Sequence, residues 1–209
     1  MAVEYALLGL LAADARHGYD LAREFGPDTP LGDIVHLEPS MLYAHLKRLE
    51  RAGQIVASIE PQDSRPPRRV FSLTAAGHAA LDAWLASPVE HTRDLRLEFL
   101  LKLYTARERD AATAAHLIAA QHVVCQRFVT SLTSQRAAET DTFRCLVLDM
   151  RLAQNRAILD WLQEASRMAT IVDDPGVGED EWRKQPAGAA HRGATAHDAP
   201  LTGDNLTDG

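Results

Sequence analysis

PSMLYAHLKRLERAGQIVASIEPQDSRPPRRVFSL, residues 39–73, holds two hydrophobic periods in succession. The first part runs at the helical period. On a wheel of about 100° per residue, Leu42, Leu46 and Leu49 share one face and Ser40, Ala44, Lys47 and Arg51 the opposite one. Tyr43 and Arg48 lie on the flanks, Pro39-Ser40 starts the helix and Gly53 stops it. Beyond Gly53 the period drops to two, with Ile55, Ala57 and Ile59 alternating as a half-buried strand would. Asp63, Ser64, Pro66 and Pro67 make a turn, and Val70, Phe71 and Leu73 lie in a second short strand. A helix leading into a two-strand hairpin is therefore expected, with Arg65, Arg68 and Arg69 around the hairpin tip.

Working outward, AVEYALLGLLAA (2–13) reads as a short apolar helix and HGYDLAREF (17–25) as a second. In the second, Leu21, Ala22 and Phe25 are available to a core, and Tyr19 is either core or a phosphate contact. Gly26 is a plausible C-cap, followed by Pro27 and Pro30 in a loop. Three helices and then a hairpin is the order of a winged helix-turn-helix. Thr74 can N-cap the next helix, AAGHAALDAWLA, which ends near Ser87-Pro88. Downstream, Arg93 to Tyr104 reads as a dense apolar helix, and 107–137 and 141–169 as two long ones. Helices with this much apolar surface call for a second chain to cover them.

The expected fold class is thus mainly α, an N-terminal winged helix-turn-helix plus a C-terminal helical dimerisation domain. The expected boundaries are 1–88 and 89–171, with residues 172–209 a disordered acidic tail, because periodicity disappears and Gly, Pro, Asp and Ala dominate there.

The formal net charge of -7, taken alone, opposes a nucleic-acid partner, but its distribution removes the objection. From Asp173 to Gly209 eight acids face three bases, a net of -5; from Pro39 to Val70 six bases face three acids, a net of +3. Screening confines each field to about a Debye length, so a local basic surface can still hold phosphates. No run approaches the roughly 18 apolar residues of a membrane helix, and Met1 leads into a periodic segment with no basic leader, so the expected compartment is the cytoplasm. Cys125 and Cys145 have neither metal-ligand nor redox spacing, and no cofactor or metal is expected.

A helix fits the major groove, where Lys or Arg can donate to guanine and Ser or Tyr can hold a phosphate. The expected DNA contacts are Ser40, Tyr43, Ala44, Lys47 and Arg48 on the helix, with Arg65, Arg68 and Arg69 on the wing. Here the chain resembles the PadR family of winged-helix regulators. Three motifs carry the resemblance: LLGLLAADARHGYDLA (7–22), PSMLYAHLKRLERAG (39–53) and SRPPRRVFSLTAAG (64–77). The segment opening DLRLEFLLKLY resembles the dimerisation domain of the family's longer members. The resemblance implies a homodimer on an inverted-repeat operator in double-stranded DNA, more commonly a repressor than an activator, answering to a small aromatic or hydrophobic effector. Two positions depart from the family: Ala44 stands where Pro is common, and Ser64 where Gly is common. The first implies an altered base preference, the second a different turn at the wing tip.

Catalytic alternatives fail on their constellations. His36-Leu37-Glu38 lacks the downstream P-C-x-x-C of a zinc deaminase, and His116 and His122 do not share a helix face. Ser40, His17 and Asp20 come without a nucleophile elbow or a Gly-rich phosphate loop, so no enzyme is expected. Trp84, Phe99, Tyr104, Phe128, Phe143 and Trp161 are candidate liners of an effector pocket, or else core and interface. The rival is a winged helix used for protein–protein assembly without DNA; such a protein has no need of Lys47, Arg48, Arg65, Arg68 and Arg69 together.

Overall fold

The first helix, α1 (Ala2–Ala13), is apolar almost all the way round, and such a helix is satisfied only at the centre of a fold. Ala6, Leu7, Leu8, Leu10 and Leu11 are all buried, packed among α4 (Pro39–Arg51), α5 (Ala75–Leu85), α6 (Leu100–Arg109) and β3 (Arg68–Leu73). The structure, a computed structural model, describes residues 1–60 and 68–172. Arg65, the expected wing tip and the acidic segment from Asp173 onward lie outside the described residues.

The winged helix-turn-helix is present in the expected order, with two additions. Arg16–His17 forms a short strand, β1, which pairs with β3, while β2 (Ile55–Glu60) pairs with β3 on its other side. The sheet is antiparallel in the order β1-β3-β2. A two-residue strand carries no periodicity, so sequence pattern could not reveal it. The second addition corrects the loop expected around Pro27 and Pro30. Pro30–Ile34 is a helix, α3, between α2 (Gly18–Glu24) and α4. Its start has a clear local cause: the Thr29 hydroxyl accepts from the Gly32 amide at 3.0 Å, and Pro30 takes a first-turn position where no amide donor is needed.

Elsewhere local chemistry places the boundaries. Gly53, at φ 68, ends α4 in the left-handed region and turns the chain into β2. Thr74 caps α5 by accepting from the Gly77 amide at 3.1 Å. In β2 the burial alternation fades: Ile55 is buried and Ala57 half-buried, but Ile59 is exposed.

The region after α5 departs from the single helix expected over Arg93–Tyr104. A 3₁₀ turn (Thr92–Asp94) leads through a π-helical turn (Leu95–Phe99) into α6, which continues to Arg109. Asp110 then breaks the chain and caps α7 (Ala111–Ala138), its carboxylate accepting from the Thr113 amide at 2.6 Å. After a three-residue connection, α8 (Thr142–Val172) returns along α7. At 1.5 Å per residue these helices reach about 42 and 46 Å, a long antiparallel hairpin.

One hydrophobic core runs from Ala6 through Leu46, Phe71, Trp84, Phe99 and Leu117 to Leu162. The winged helix and the hairpin therefore share a core through α6. No helix among the described residues is long and apolar enough to cross a membrane.

Candidate nucleic-acid interface

On α4 the wheel is reproduced. Leu42, Leu46 and Leu49 are buried, and Ser40, Tyr43, Ala44, Lys47, Arg48 and Arg51 are exposed. Helix α2 packs against α4, and Leu21 supplies its core contact. Tyr19 is exposed on α2, which removes it from the core and leaves it on the solvent side. Met41 is exposed on the first turn of α4; sequence reasoning passed over it because a Met at a helix start reads as core.

Tyr43 is set by a glycine. A Cβ on Gly18 would lie 2.7 Å from Tyr43 Cε1 and 2.9 Å from its hydroxyl, so the ring can lie over the start of α2 only because Gly18 has no side chain. The phenol thereby sits at the junction of α2 and α4.

The cations divide into two groups. Among the described residues, Lys47, Arg51 and Arg68 form no ion pair with a carboxylate. Arg48 does: its Nε donates to Glu4 Oε1 at 2.6 Å, and its Nη2 lies 2.6 Å from His45 Nδ1. His45 Nδ1 in turn lies 3.1 Å from the same Glu4 oxygen. Nδ1 can accept from Arg48 or donate to Glu4, so the imidazole proton decides which of the two bonds is made. Arg69 is also engaged, its Nη2 donating to Glu50 Oε1 at 2.7 Å while the guanidinium lies 5.1 Å from the Phe71 ring centroid. Arg68 opposes Glu60 across the hairpin. Arg48 and Arg69 are thus drawn onto neighbouring acids, and Lys47, Arg51 and Arg68 are the cations on offer.

Glu4 is well placed to hold Arg48. Burial alone would raise its carboxyl, but hydrogen bonds from His45 and Arg48, the Arg48 charge and the chain's amino terminus together bring it below its ordinary value of 4.5. A depressed carboxyl stabilises the fold above its unfolded-state pKa, and that contribution is lost as pH falls through the folded value. The stability difference between wild type and Glu4→Gln is therefore expected to be largest near neutrality and to vanish as pH falls through the folded-state value, which lies below the ordinary 4.5. Urea titrations across that range check it; a difference that persists in acid would show that Glu4 acts through shape and not charge.

Of the six aromatic candidates for a pocket, Phe128 and Trp161 line a large cleft and Tyr104 a smaller one of about 280 Å³. An open cleft of about 1170 Å³ lies among the segment after α5, α7 and α8, and Phe128 and Trp161 form part of its wall with Leu132 and Ile158. Arg96 and Arg151 stand at the same cleft. Trp84 and Phe99 are core instead: Trp84 stacks on Tyr5 at 4.9 Å, and Phe99 meets Trp161 edge-on at 6.1 Å. Tyr104 packs against the core, and Phe143 is exposed on α8. No group of three or more potential metal ligands occurs among the described residues.

Residues 7–83 match the model of the transcriptional regulator PadR-like family, and residues 95–168 match that of the virulence activator alpha C-terminal domain. Residues 7–83 are a PadR-like domain. A probable transcriptional regulator of Mycobacterium tuberculosis is 27% identical over 187 residues, covering 79% of this chain and 96% of that protein. The negative transcriptional regulator PadR of Bacillus subtilis is 30% identical over 102 residues, covering 49% of this chain and 55% of that protein. Among solved structures, Bacillus subtilis PadR in complex with operator DNA is 25% identical with a TM-score of 0.40, covering 81% of this chain and 99% of that one. The same protein in complex with p-coumaric acid gives 24% and 0.37, with coverages of 81% and 99%. The part matched by the model of the transcriptional regulator PadR-like family is the winged helix described above.

Proposed function

We propose that this PadR-like protein is a repressor that binds an inverted-repeat operator as a homodimer, in the cytoplasm where that DNA lies. The observation that carries the proposal is the solvent face of α4, where Ser40, Ala44 and Lys47 stand clear of any acidic partner among the described residues. Ala44 permits close approach to base edges, Lys47 supplies a donor and Ser40 can hold a phosphate. Tyr43, fixed over Gly18, and Arg68 flank this face. Arg65, outside the described residues, is a further DNA contact in this proposal, and Arg48 and Arg69 stand in reserve on Glu4 and Glu50. Repression is supported by the name of the Bacillus subtilis relative.

The second chain is supported by α8. Phe143, Leu146, Met150, Ala157, Trp161 and Met168 are exposed, and at about 100° per residue they fall within an arc of roughly 60°. So narrow an apolar stripe on a long helix is the pattern that a facing helix covers. Two heads joined this way present two copies of α4 to successive major grooves, about 34 Å apart.

Mobility shift with DNA from upstream of the chain's own gene tests the proposal. Binding is expected to fall steeply between 50 and 200 mM salt, by about one to three decades for a few phosphate contacts per head. Binding that ignores salt, or no binding at all, would instead favour a winged helix used for protein assembly. The cleft bearing Phe128 and Trp161 suits a small aromatic effector, with release of DNA as the response. In the same assay, such compounds should free the operator from wild type and not from Phe128→Ala.

A further inference from the structure

Four polar or charged side chains are buried among the described residues: Lys102, Thr105, Gln121 and Asn155. Thr105 bonds within its own helix, to the Leu101 carbonyl. The other three sit on three successive helices, α6, α7 and α8, which together form the arm that follows the winged helix, and all three hold the same short stretch of chain. Lys102 Nζ donates to the carbonyls of Trp84 at 2.8 Å and Ser87 at 2.6 Å. Gln121 accepts from the Val89 amide at 2.8 Å and donates to the Val89 carbonyl at 3.1 Å, pairing with that residue as a neighbouring strand would. Asn155 Oδ1 accepts from the Thr92 hydroxyl at 3.1 Å, while its amide is anchored on the Arg151 carbonyl. The stretch Trp84–Thr92 is the only covalent path from the winged helix to the arm.

We propose that Lys102, Gln121 and Asn155 are positioning residues for operator recognition, clamping Trp84–Thr92 so that each winged-helix head holds one direction relative to the arm. Physical chemistry makes the clamp stiff. A buried amide or ammonium that loses its partners bears its full desolvation cost, so the joint has one satisfied arrangement and few near it. Lys102 gains further from its place at the carbonyl end of α5 and over the Trp84 ring, 5.1 Å from the centroid. Trp84 is fixed from the other side, its Nε1 donating to Glu98 at 3.0 Å and its ring stacked on Tyr5 of α1. Hydrophobic packing alone would tolerate slippage here; the hydrogen bonds specify a register. In a dimer whose arms are joined through α8, the direction of each head becomes the separation of the two reading helices. The inference rests on the homodimer reading in this respect.

The test uses the full chain and synthetic duplexes carrying two copies of a half-site, itself selected from random DNA by the wild type. Spacers differ by single base pairs across one helical turn. Wild type should prefer one spacing by about tenfold or more over its neighbours. Gln121→Met keeps the side-chain volume and removes the Val89 bonds. As a folded dimer it should bind a single half-site within about twofold of wild type, yet discriminate spacings less than about threefold. Thr92→Val, which removes only the Asn155 bond at a half-buried position, should flatten the profile in the same direction and serves if Gln121→Met does not fold. A folded dimeric Thr92→Val or Gln121→Met with an unchanged spacing profile overturns the clamp and leaves the dimer intact. A wild-type profile with no preferred spacing overturns the homodimer reading, and the clamp with it.

Discussion

A chain carrying Leu146→Glu with Met150→Glu is expected to be monomeric at micromolar concentration and to bind its operator about a hundredfold or more weakly than wild type. Both residues are exposed on α8, so in the monomer each substitution exchanges surface for surface and should cost the fold within about 0.5 kcal/mol. In a dimer the same positions face a second apolar stripe. Four carboxylates brought into that seam would each lose hydration without a cation to answer them. Operator affinity falls because two heads on one body hold each other at effective concentrations that separate heads lack. Sedimentation measures the association and circular dichroism checks the helix content. A variant that stays dimeric would place the subunit interface somewhere other than the α8 stripe.

The second large effect separates two neighbouring cations. Lys47→Ala should cost about 1–3 kcal/mol of operator binding, roughly 5- to 150-fold, because it removes a free donor from the centre of the reading face. Arg48→Ala should cost less than about 1 kcal/mol, since that guanidinium is already engaged by Glu4 and His45. Removing the restraint should reverse this. In Glu4→Gln, Arg48 is released toward the phosphates, affinity for any duplex rises severalfold and the salt slope steepens by about one per head. Adding Arg48→Ala to Glu4→Gln should erase that gain. Measured as a cycle at several salt concentrations, equal losses for Lys47→Ala and Arg48→Ala in the wild-type background would mean that Glu4 does not restrain Arg48.

Sequence pattern conveys the parts of this molecule that repeat. The leucines of α4, the apolar girth of α1 and the hairpin after Gly53 announce themselves through period, and the order of these elements points to a winged helix. The β1 strand and α3 are too short for a period, although Thr29-Pro30 marks the start of α3 to anyone weighing caps above prolines. The cationic face was legible as composition but not as availability. Which arginines are free depends on Glu4, 44 residues away from Arg48 in sequence, and on Glu50, which reaches Arg69 of the hairpin from α4. Gln121 was invisible for a related reason: a glutamine within a long helix looks like solvent-facing surface until Val89 is found against it.

The shared core through α6 bears on how such regulators can be recombined. Leu101 and Ala106 of α6 are buried against the element cluster built on α1, so severing the chain at Pro88 would leave α1 with an open flank. The reading head is consequently not a portable cassette. A graft onto another regulator's arm has to carry the helix up to Arg109 along with it, and a seam at Asp110, where the chain breaks and caps the next helix, still parts Val89 and Thr92 from Gln121 and Asn155.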